Sequence, residues 1–453
     1  MQYDLIIIGG GPGGYTAAFE AADRKMRVCL FEEREAGGTC LNRGCIPTKT
    51  LVHTADLYRE LKSAQNGALC AESLRIDIGR LNEKKEQVIG VQREGLEKQL
   101  KARKIEVIRA HACITDEHTV TADGTSYTAE NILIAAGSVP ARLPVEGADL
   151  PGVITSDDIL RDIPQFERLI IIGGGVIGCE IAGIYEAFGT AVTVIEAMDT
   201  LLPAMDSEIG RSLALIFKKR GIDTHVRSFV QKIEKTDSGL TVTYEEKGTV
   251  KTAEADAVLL AAGRRAVTDV FAGEKPEMNR GRFVIDEQYR TSFPHIYAVG
   301  DAAGSYPQLA HTAEAMAVNA VRAMLNEPPG RDMSCIPAGV YTCPEIASVG
   351  LTEKEAAAAG ISAVTGKANT LSNARSLIQE SERGFIKITA EKESGRILGA
   401  VMMCERATDL IQEMAAAVSS GMTVGQLLKV IHGHPTFAEA VVPALEAAVK
   451  KLQ

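Results

Sequence analysis

The chain has 453 residues and a formal net charge of −10, enough length for roughly two to four domains with a sizeable core. It carries no outstanding basic run, which argues against a nucleic-acid partner, because that affinity rests on Lys and Arg neutralising phosphates. Nine scattered cysteines are not a disulfide scaffold and suit a reducing compartment. With no basic leader ahead of Tyr3 and no apolar run long enough to span a bilayer, a cytoplasmic protein without a membrane span is expected.

The first element is an apolar strand, Leu5-Ile6-Ile7-Ile8. Gly9, Gly11 and Gly14 follow in GxGxxG spacing, then a helix, then Val28-Cys29-Leu30-Phe31 ending on Glu32. In such a unit the first glycine makes a tight turn and the second lets the backbone approach a pyrophosphate. The third lets helix and strand pack closely. The helix N-terminus holds the phosphates through free N–H groups, and the acid can bond a ribose hydroxyl. Directly afterwards comes Gly37-Gly38-Thr39-Cys40-Leu41-Asn42-Arg43-Gly44-Cys45-Ile46-Pro47-Thr48-Lys49, which sets two thiols beside a nucleotide. A dithiol close to a redox ring is a device for passing two electrons between a disulfide and that ring.

Residues 81–104 are charged, with Val88, Val91, Leu96 and Leu100 at helical spacing, and read as a solvated amphipathic helix. Pro140, Pro144 and Pro151 with Gly147 and Gly152 mark a linker. The opening pattern then recurs: Leu169-Ile170-Ile171-Ile172, Gly173, Gly175 and Gly178, and Val192-Thr193-Val194-Ile195-Glu196, at one constant offset from the first copy. Two complete copies imply two dinucleotides. The copy beside the dithiol should carry the ring that reacts with sulfur, a role that suits a flavin. The second should hold a nicotinamide nucleotide. Glu196-Ala197-Met198-Asp199-Thr200 offers no Arg or Lys for a 2′-phosphate and two carboxylates that repel one, so NAD is expected rather than NADP.

Asp301 follows an apolar strand; on its own it reads as a helix cap. Cys29 and Cys179 lie in apolar elements and read as core. Cys335 and Cys343 lack the spacing and companions of a zinc site, and no metal is expected.

These motifs give the chain its resemblance to the FAD-dependent pyridine nucleotide–disulfide oxidoreductases, nearly end to end. The resemblance also rests on Ala135-Ala136-Gly137-Ser138, Ala261-Ala262-Gly263-Arg264 and Ile296-Tyr297-Ala298-Val299-Gly300-Asp301. Leu309-Ala310-His311, Tyr341-Thr342-Cys343-Pro344-Glu345 and His432-Gly433-His434-Pro435-Thr436-Phe437-Ala438-Glu439 complete it. It implies an α/β fold of two Rossmann-like dinucleotide-binding domains, the NAD domain inserted in the FAD domain, plus an α+β C-terminal dimerisation domain. The implied boundaries are 1–143 for FAD, completed by 267–334, 144–266 for NAD, and 335–453 for the interface.

By the same resemblance Cys40 and Cys45 form the redox disulfide. Cys40 meets substrate, Cys45 lies against the flavin, and Lys49 sits near its reactive nitrogen with Glu180 as ion-pair partner. FAD would be held by Gly9, Gly11, Gly14, Glu32, Gly38, Thr39, Lys49, Ala112, Gly137, Asp301 on the ribityl chain, and Ala310 at a helix N-terminus. NAD would be held by Gly173, Gly175, Gly178, Glu196, Val230 and Gly263. His434 and Glu439 form an acid–base pair that reaches the disulfide of a second subunit, which implies a homodimer; His432 is a bystander, and His434–Pro435 is a candidate cis bond. The implied activity is oxidation of dihydrolipoyl groups, with electrons running through the disulfide and FAD to NAD. The partner is then a lipoyl-bearing carrier protein or domain of a 2-oxoacid dehydrogenase, acetoin or glycine-cleavage complex. The alternatives are another NADH-dependent disulfide reductase of the family or a non-catalytic flavoprotein scaffold subunit. Arg43 adds positive charge at the dithiol, either lowering a thiol pKa or selecting a more anionic disulfide.

Overall fold

The computed structural model describes residues 1–64, 69–70 and 73–453. Its first sheet is built on Tyr3–Ile8, which pairs in parallel with Val28–Phe31 on one side and Thr125–Ile134 on the other. Leu5, Ile6 and Ile7 are wholly buried, the mark of a strand covered on both faces and the reason this run is apolar without alternation. Glu106–Ile108 extends one edge, and Thr119–Ala122 and Cys113–Asp116 fold back antiparallel beyond the other. Ile296–Ala298, far along the chain, returns to pair in parallel with Ile132–Ile134.

Between departure and return the chain builds a second sheet, all parallel, in the order Asp223–His225, Ala191–Ile195, Arg168–Ile172, Ala257–Leu260, Val153–Thr155. An antiparallel meander of Ser228–Thr236, Gly239–Glu246 and Thr249–Ala255 shares an apolar cluster with it through Val242, Tyr244 and Leu260. Ser138–Pro140 and Arg264–Ala266 pair antiparallel where the chain crosses between the two sheets. The C-terminal part is a five-stranded antiparallel sheet centred on Ile397–Cys404, with helices Ala407–Ser419 and Val442–Leu452 packed on it. Among the described residues no helix is long and apolar enough to cross a membrane.

The charged segment is a helix, Ile78–Ala102, but its buried face differs from the expected one. Leu81, Lys85, Ile89, Leu96 and Leu100 face inward, while Val91 is 63% exposed. Lys85 is buried because its ammonium caps a helix end, donating to the carbonyls of Leu160 and Arg161 at 2.7 Å each. Placing a charge there is tolerable only because those bonds are made. Cys29 and Cys179 are core residues, as expected.

The glycines of the two turns divide their tasks alike in both copies. Gly9 and Gly173 have φ of +104° and +113°, a conformation in which a side chain is strained. A Cβ on Gly14 would lie 1.7 Å from the Gly9 carbonyl oxygen, and one on Gly178 would lie 1.9 Å from that of Gly173. A Cβ on Gly175 would meet nothing within 4 Å. Gly178→Ala should therefore lose about 3 kcal/mol of stability, the scale of core overpacking, whereas Gly175→Ala should stay within about 0.5 kcal/mol. Chemical denaturation of the two variants compares them directly; equal losses would contradict this division of labour.

Candidate active site

Helix Pro12–Asp23 starts at the first glycine turn and helix Val176–Ala187 at the second. Both turns open into one cavity of about 1880 Å³. All the sequence-predicted cofactor and thiol residues line it except Gly14 and Gly178, which lie behind the turns. His434 and Glu439 do not line it.

The two acids repeat each other in detail. Glu32 accepts from the backbone N–H of Gly10 (2.7 Å) and of Arg34 (2.8 Å). Glu196 accepts from those of Gly174 (2.5 Å) and Met198 (2.7 Å). Each carboxylate thus closes its own turn and holds its charge at the cavity wall.

Cys40 lies in a short helix, Gly38–Arg43, and Cys45 opens the next, Cys45–Ala64. Both are free thiols. The hydrogen bond that Cys40 donates lowers Cys45 to about 7, with Lys49 adding to the effect and burial opposing it. The same bond, with burial, pushes Cys40 far above the thiol range. The two shifts run in opposite directions, and the Lys49 ammonium favours the thiolate at Cys45.

Lys49 lies one turn past Cys45 on the same helix. Its ammonium donates to both oxygens of Glu180, at 2.8 and 3.0 Å, and sits 4.5 Å from the centre of the Tyr341 ring. Burial works to lower Lys49, but Glu180 outweighs it and holds the ammonium above its usual range. Glu180 is only 3% exposed and also accepts from the Tyr341 backbone N–H at 2.9 Å.

Arg43 stands among carboxylates as well as near the thiols. Its guanidinium lies within ion-pair range of Asp157 (3.7 Å) and Glu35 (4.0 Å) but hydrogen-bonds to neither, and Lys49 supplies the positive field at Cys45. Asp301 is not a helix cap. It lies inside a 3₁₀ turn, Gly300–Ala302, and accepts from Ser138 Oγ at 2.5 Å; Arg264 Nε donates in turn to that Oγ at 2.7 Å.

His434 and Glu439 meet as expected, Nδ1 to Oε2 at 2.8 Å. The hydrogen bond to His434 holds Glu439 below the usual carboxylate range. The His434–Pro435 bond is cis. His432 also has a carboxylate, Glu413, at 2.9 Å, so pairing alone does not separate the two histidines. Exposure does: the His432 side chain is 7% exposed and that of His434 is 70%.

Sequence reasoning missed several members. Asn42 donates to the carbonyls of Ala36 and Gly38 and accepts from Arg93, bracing the dithiol loop from a distant helix. Tyr341, Ser138 and Arg264 join through contacts more than a hundred residues apart. Arg227, whose Nε donates to Asp199 at 2.8 Å, brings a cation to a loop that has none in sequence. No local pattern signals such pairs.

The cavity fits a flavin dinucleotide and a nicotinamide dinucleotide. Gly11 has no neighbour nearer than 3.8 Å to a Cβ, leaving room for a phosphate against the backbone. A Cβ on Gly38 would press the Gly11 backbone at 2.6 Å and spoil that approach. Gln308 Nε2 and Thr312 Oγ1 are buried without partners at the cavity wall beside the start of helix Ala310–Met324, where a ring with polar edges would satisfy them. Gly175 leaves the same open approach in the second turn.

Comparison with known proteins agrees with this geometry. A family model described as pyridine nucleotide-disulphide oxidoreductase matches residues 3–317, and one described as its dimerisation domain matches residues 336–445. The chain is 35% identical to a dihydrolipoyl dehydrogenase of Geobacillus stearothermophilus and 36% identical to one of Bacillus subtilis. Each match covers 99% of this chain and 97% of the relative. The solved structure of the HOCl-induced flavoprotein disulfide reductase RclA from Escherichia coli superposes with a TM-score of 0.86 at 27% identity, covering 98% of this chain and 99% of that one.

The thiol asymmetry can be measured. In flavin-loaded Cys40→Ser, which keeps an O–H donor, the long-wavelength thiolate–flavin absorbance should appear without reductant, grow as pH rises and have its midpoint near 7. Adding Lys49→Met should move the midpoint up by about one pH unit, because the cation favouring the charged form is gone. A midpoint in the ordinary thiol range, insensitive to Lys49, would contradict the assignment.

Proposed function

Because the chain belongs to the pyridine nucleotide-disulphide oxidoreductases, we propose that it oxidises dihydrolipoyl groups borne by a carrier protein and reduces NAD to NADH. The observation that carries this reading is the union in one cavity of two dinucleotide cradles and a polarised dithiol, with Lys49–Glu180 beside it. Whole-length likeness to dihydrolipoyl dehydrogenases supports the choice of substrate. The carrier would belong to a 2-oxoacid dehydrogenase, acetoin or glycine-cleavage complex.

FAD, when bound, supplies a ring that exchanges an electron pair with sulfur on one side and with nicotinamide on the other. Gly9, Gly11, Gly38, Thr39, Ala112, Gly137 and Asp301 would hold it, with Ala310 presenting a helix N-terminus. Gly173, Gly175, Glu196, Val230 and Gly263 would hold NAD. The chain divides accordingly into 1–143 with 267–334, 144–266 and 335–453.

In the oxidised protein Cys40 is the sulfur open to attack. A substrate thiolate breaks the Cys40–Cys45 bond by forming a mixed disulfide with Cys40; the second substrate thiol then displaces Cys40. The substrate leaves as a cyclic disulfide, having lost two electrons and two protons. Cys45 keeps its negative charge next to Lys49. His434 takes the proton from the attacking thiol, and Glu439 orients the ring through Nδ1 and balances the imidazolium. One chain would not complete this arrangement, since His434 does not line its own cavity. The dimerisation-domain match spans the dyad, and a second copy would bring it to the dithiol.

Steady-state rates with lipoamide, glutathione disulfide and coenzyme A disulfide, each with NADH and NADPH, test the reading. Lipoamide with NADH should be preferred. The likeness to RclA favours a second reading, a reductase of some other disulfide, and a clear preference for a non-lipoyl disulfide would establish it instead. His434→Ala should lower lipoamide turnover by about 10²–10⁴-fold while NADH reduction of the flavin continues. Glu439→Gln should cost less, and His432→Ala should cost little because that ring is packed against Glu413. A heterodimer of Cys40→Ser/Cys45→Ser and His434→Ala subunits should regain activity that neither homodimer has. No recovery in any mixture would mean that each chain supplies its own histidine.

A further inference from the structure

The loop after Glu196 carries Asp199, and the turn between strands Asp223–His225 and Ser228–Thr236 carries Arg227. Folding zips these two segments together. Arg227 N donates to the Met198 carbonyl and Ser228 N to that of Glu196, each at 2.9 Å. Arg227 Nε donates to Asp199 at 2.8 Å. Among the described residues its two Nη groups donate to none, so the outer fork of the guanidinium is open. The same turn supplies Ser228, Phe229 and Val230 to the cavity wall, and the Glu196 loop supplies Ala197 and Met198. Arg227 and Asp199 do not themselves line the cavity; each directly adjoins a residue that does, and their segments are zipped together beside the acid that ends the second strand.

An Arg in this neighbourhood is what a ribose 2′-phosphate requires, and its fork suits phosphate bidentately. Here the cation is partnered on one side only. Asp199 faces its Nε in a largely exposed pair, the two side chains 61% and 76% exposed, and Glu196 adds a second negative charge at the wall.

We propose that the Asp199–Arg227 pair sets the coenzyme choice: Asp199 withholds Arg227 from a 2′-phosphate, and the cradle selects NAD by masking a cation that would otherwise admit NADP. The inference rests on the proposed role of Glu196 as the ribose acid. It removes a conflict in the sequence, where the local window shows only acids while the fold places an arginine beside them. Glu196 then serves the ribose hydroxyls, and Asp199 excludes the phosphate.

The test is a double-mutant cycle on the flavin-loaded protein, with flavin content and melting temperature checked for each variant. Asp199→Ala should raise the NADPH-to-NADH ratio of kcat/KM by about tenfold, the scale of one partly screened attraction added and one repulsion removed. Calorimetric affinity for 2′-phospho-AMP relative to AMP should rise in parallel, which reads binding without turnover. Asp199→Ala/Arg227→Ala should lose the gain in both measurements. An unmoved ratio in Asp199→Ala, or a gain that survives removal of Arg227, overturns the proposal. Glu196→Ala serves as the separate arm. A raised KM for NADH supports the ribose reading; an unchanged KM overturns that reading whatever Asp199 does.

Discussion

The Lys49–Glu180 ion pair is the constraint on which the site depends. Glu180 is almost wholly buried, and a carboxylate there is tolerable only with a counter-charge and its remaining lone pairs used. Lys49 and the Tyr341 backbone N–H meet both demands. Lys49 belongs to the dithiol helix, Glu180 to the helix of the second glycine turn, and Tyr341 to the C-terminal part. One buried charge thus ties together three parts of the chain at the point where their chemistry converges. Arg59 and Glu186 repeat the link further along the same two helices at 3.0 Å, which fixes their relative rotation.

Within that frame the two dinucleotide turns are copies, and they diverge only past the acid that ends each second strand. Beyond Glu32, Gly37 and Gly38 bring the chain back against Gly11 and start the helix carrying Cys40. Beyond Glu196, the chain turns through Met198 and Asp199 toward Arg227. Each acid closes its own loop through two backbone N–H groups. That structural task explains why the whole unit, acid included, recurs without insertion: the turn and the carboxylate are one folded object.

The dithiol and the His434–Glu439 dyad are built on opposite principles. The thiols are held in a cavity where a neighbouring donor and a cation can split their acidities. The imidazole is presented on the outside, fixed by a carboxylate of its own segment and exposed on its other nitrogen. The role proposed for His434, at the dithiol of a second chain, requires such an exposed ring. The His432–Glu413 pair nearby, its ring only 7% exposed, shows a histidine packed against its own chain in the same segment.

Much of this architecture is legible in the sequence because its signals are local. The apolar run before each glycine turn, the glycine spacing, the acid at the end of the second strand, and the clusters around Cys40, Cys45, His434 and Glu439 each depend on residues within about two dozen positions. At that range backbone geometry converts spacing directly into proximity. Val91 on helix 78–102 shows the limit of such reading, because periodicity locates a stripe but the packing partner decides which part of it is covered. Only the tertiary structure placed Asp157 within ion-pair range of Arg43. The same holds for Asn42, held by Arg93, and for Arg227, standing beside Asp199. These are contacts between elements far apart in the chain. A charge changes its environment through whatever lies within a few ångströms of it, and at that distance sequence position carries no information until the helices and sheets have been packed.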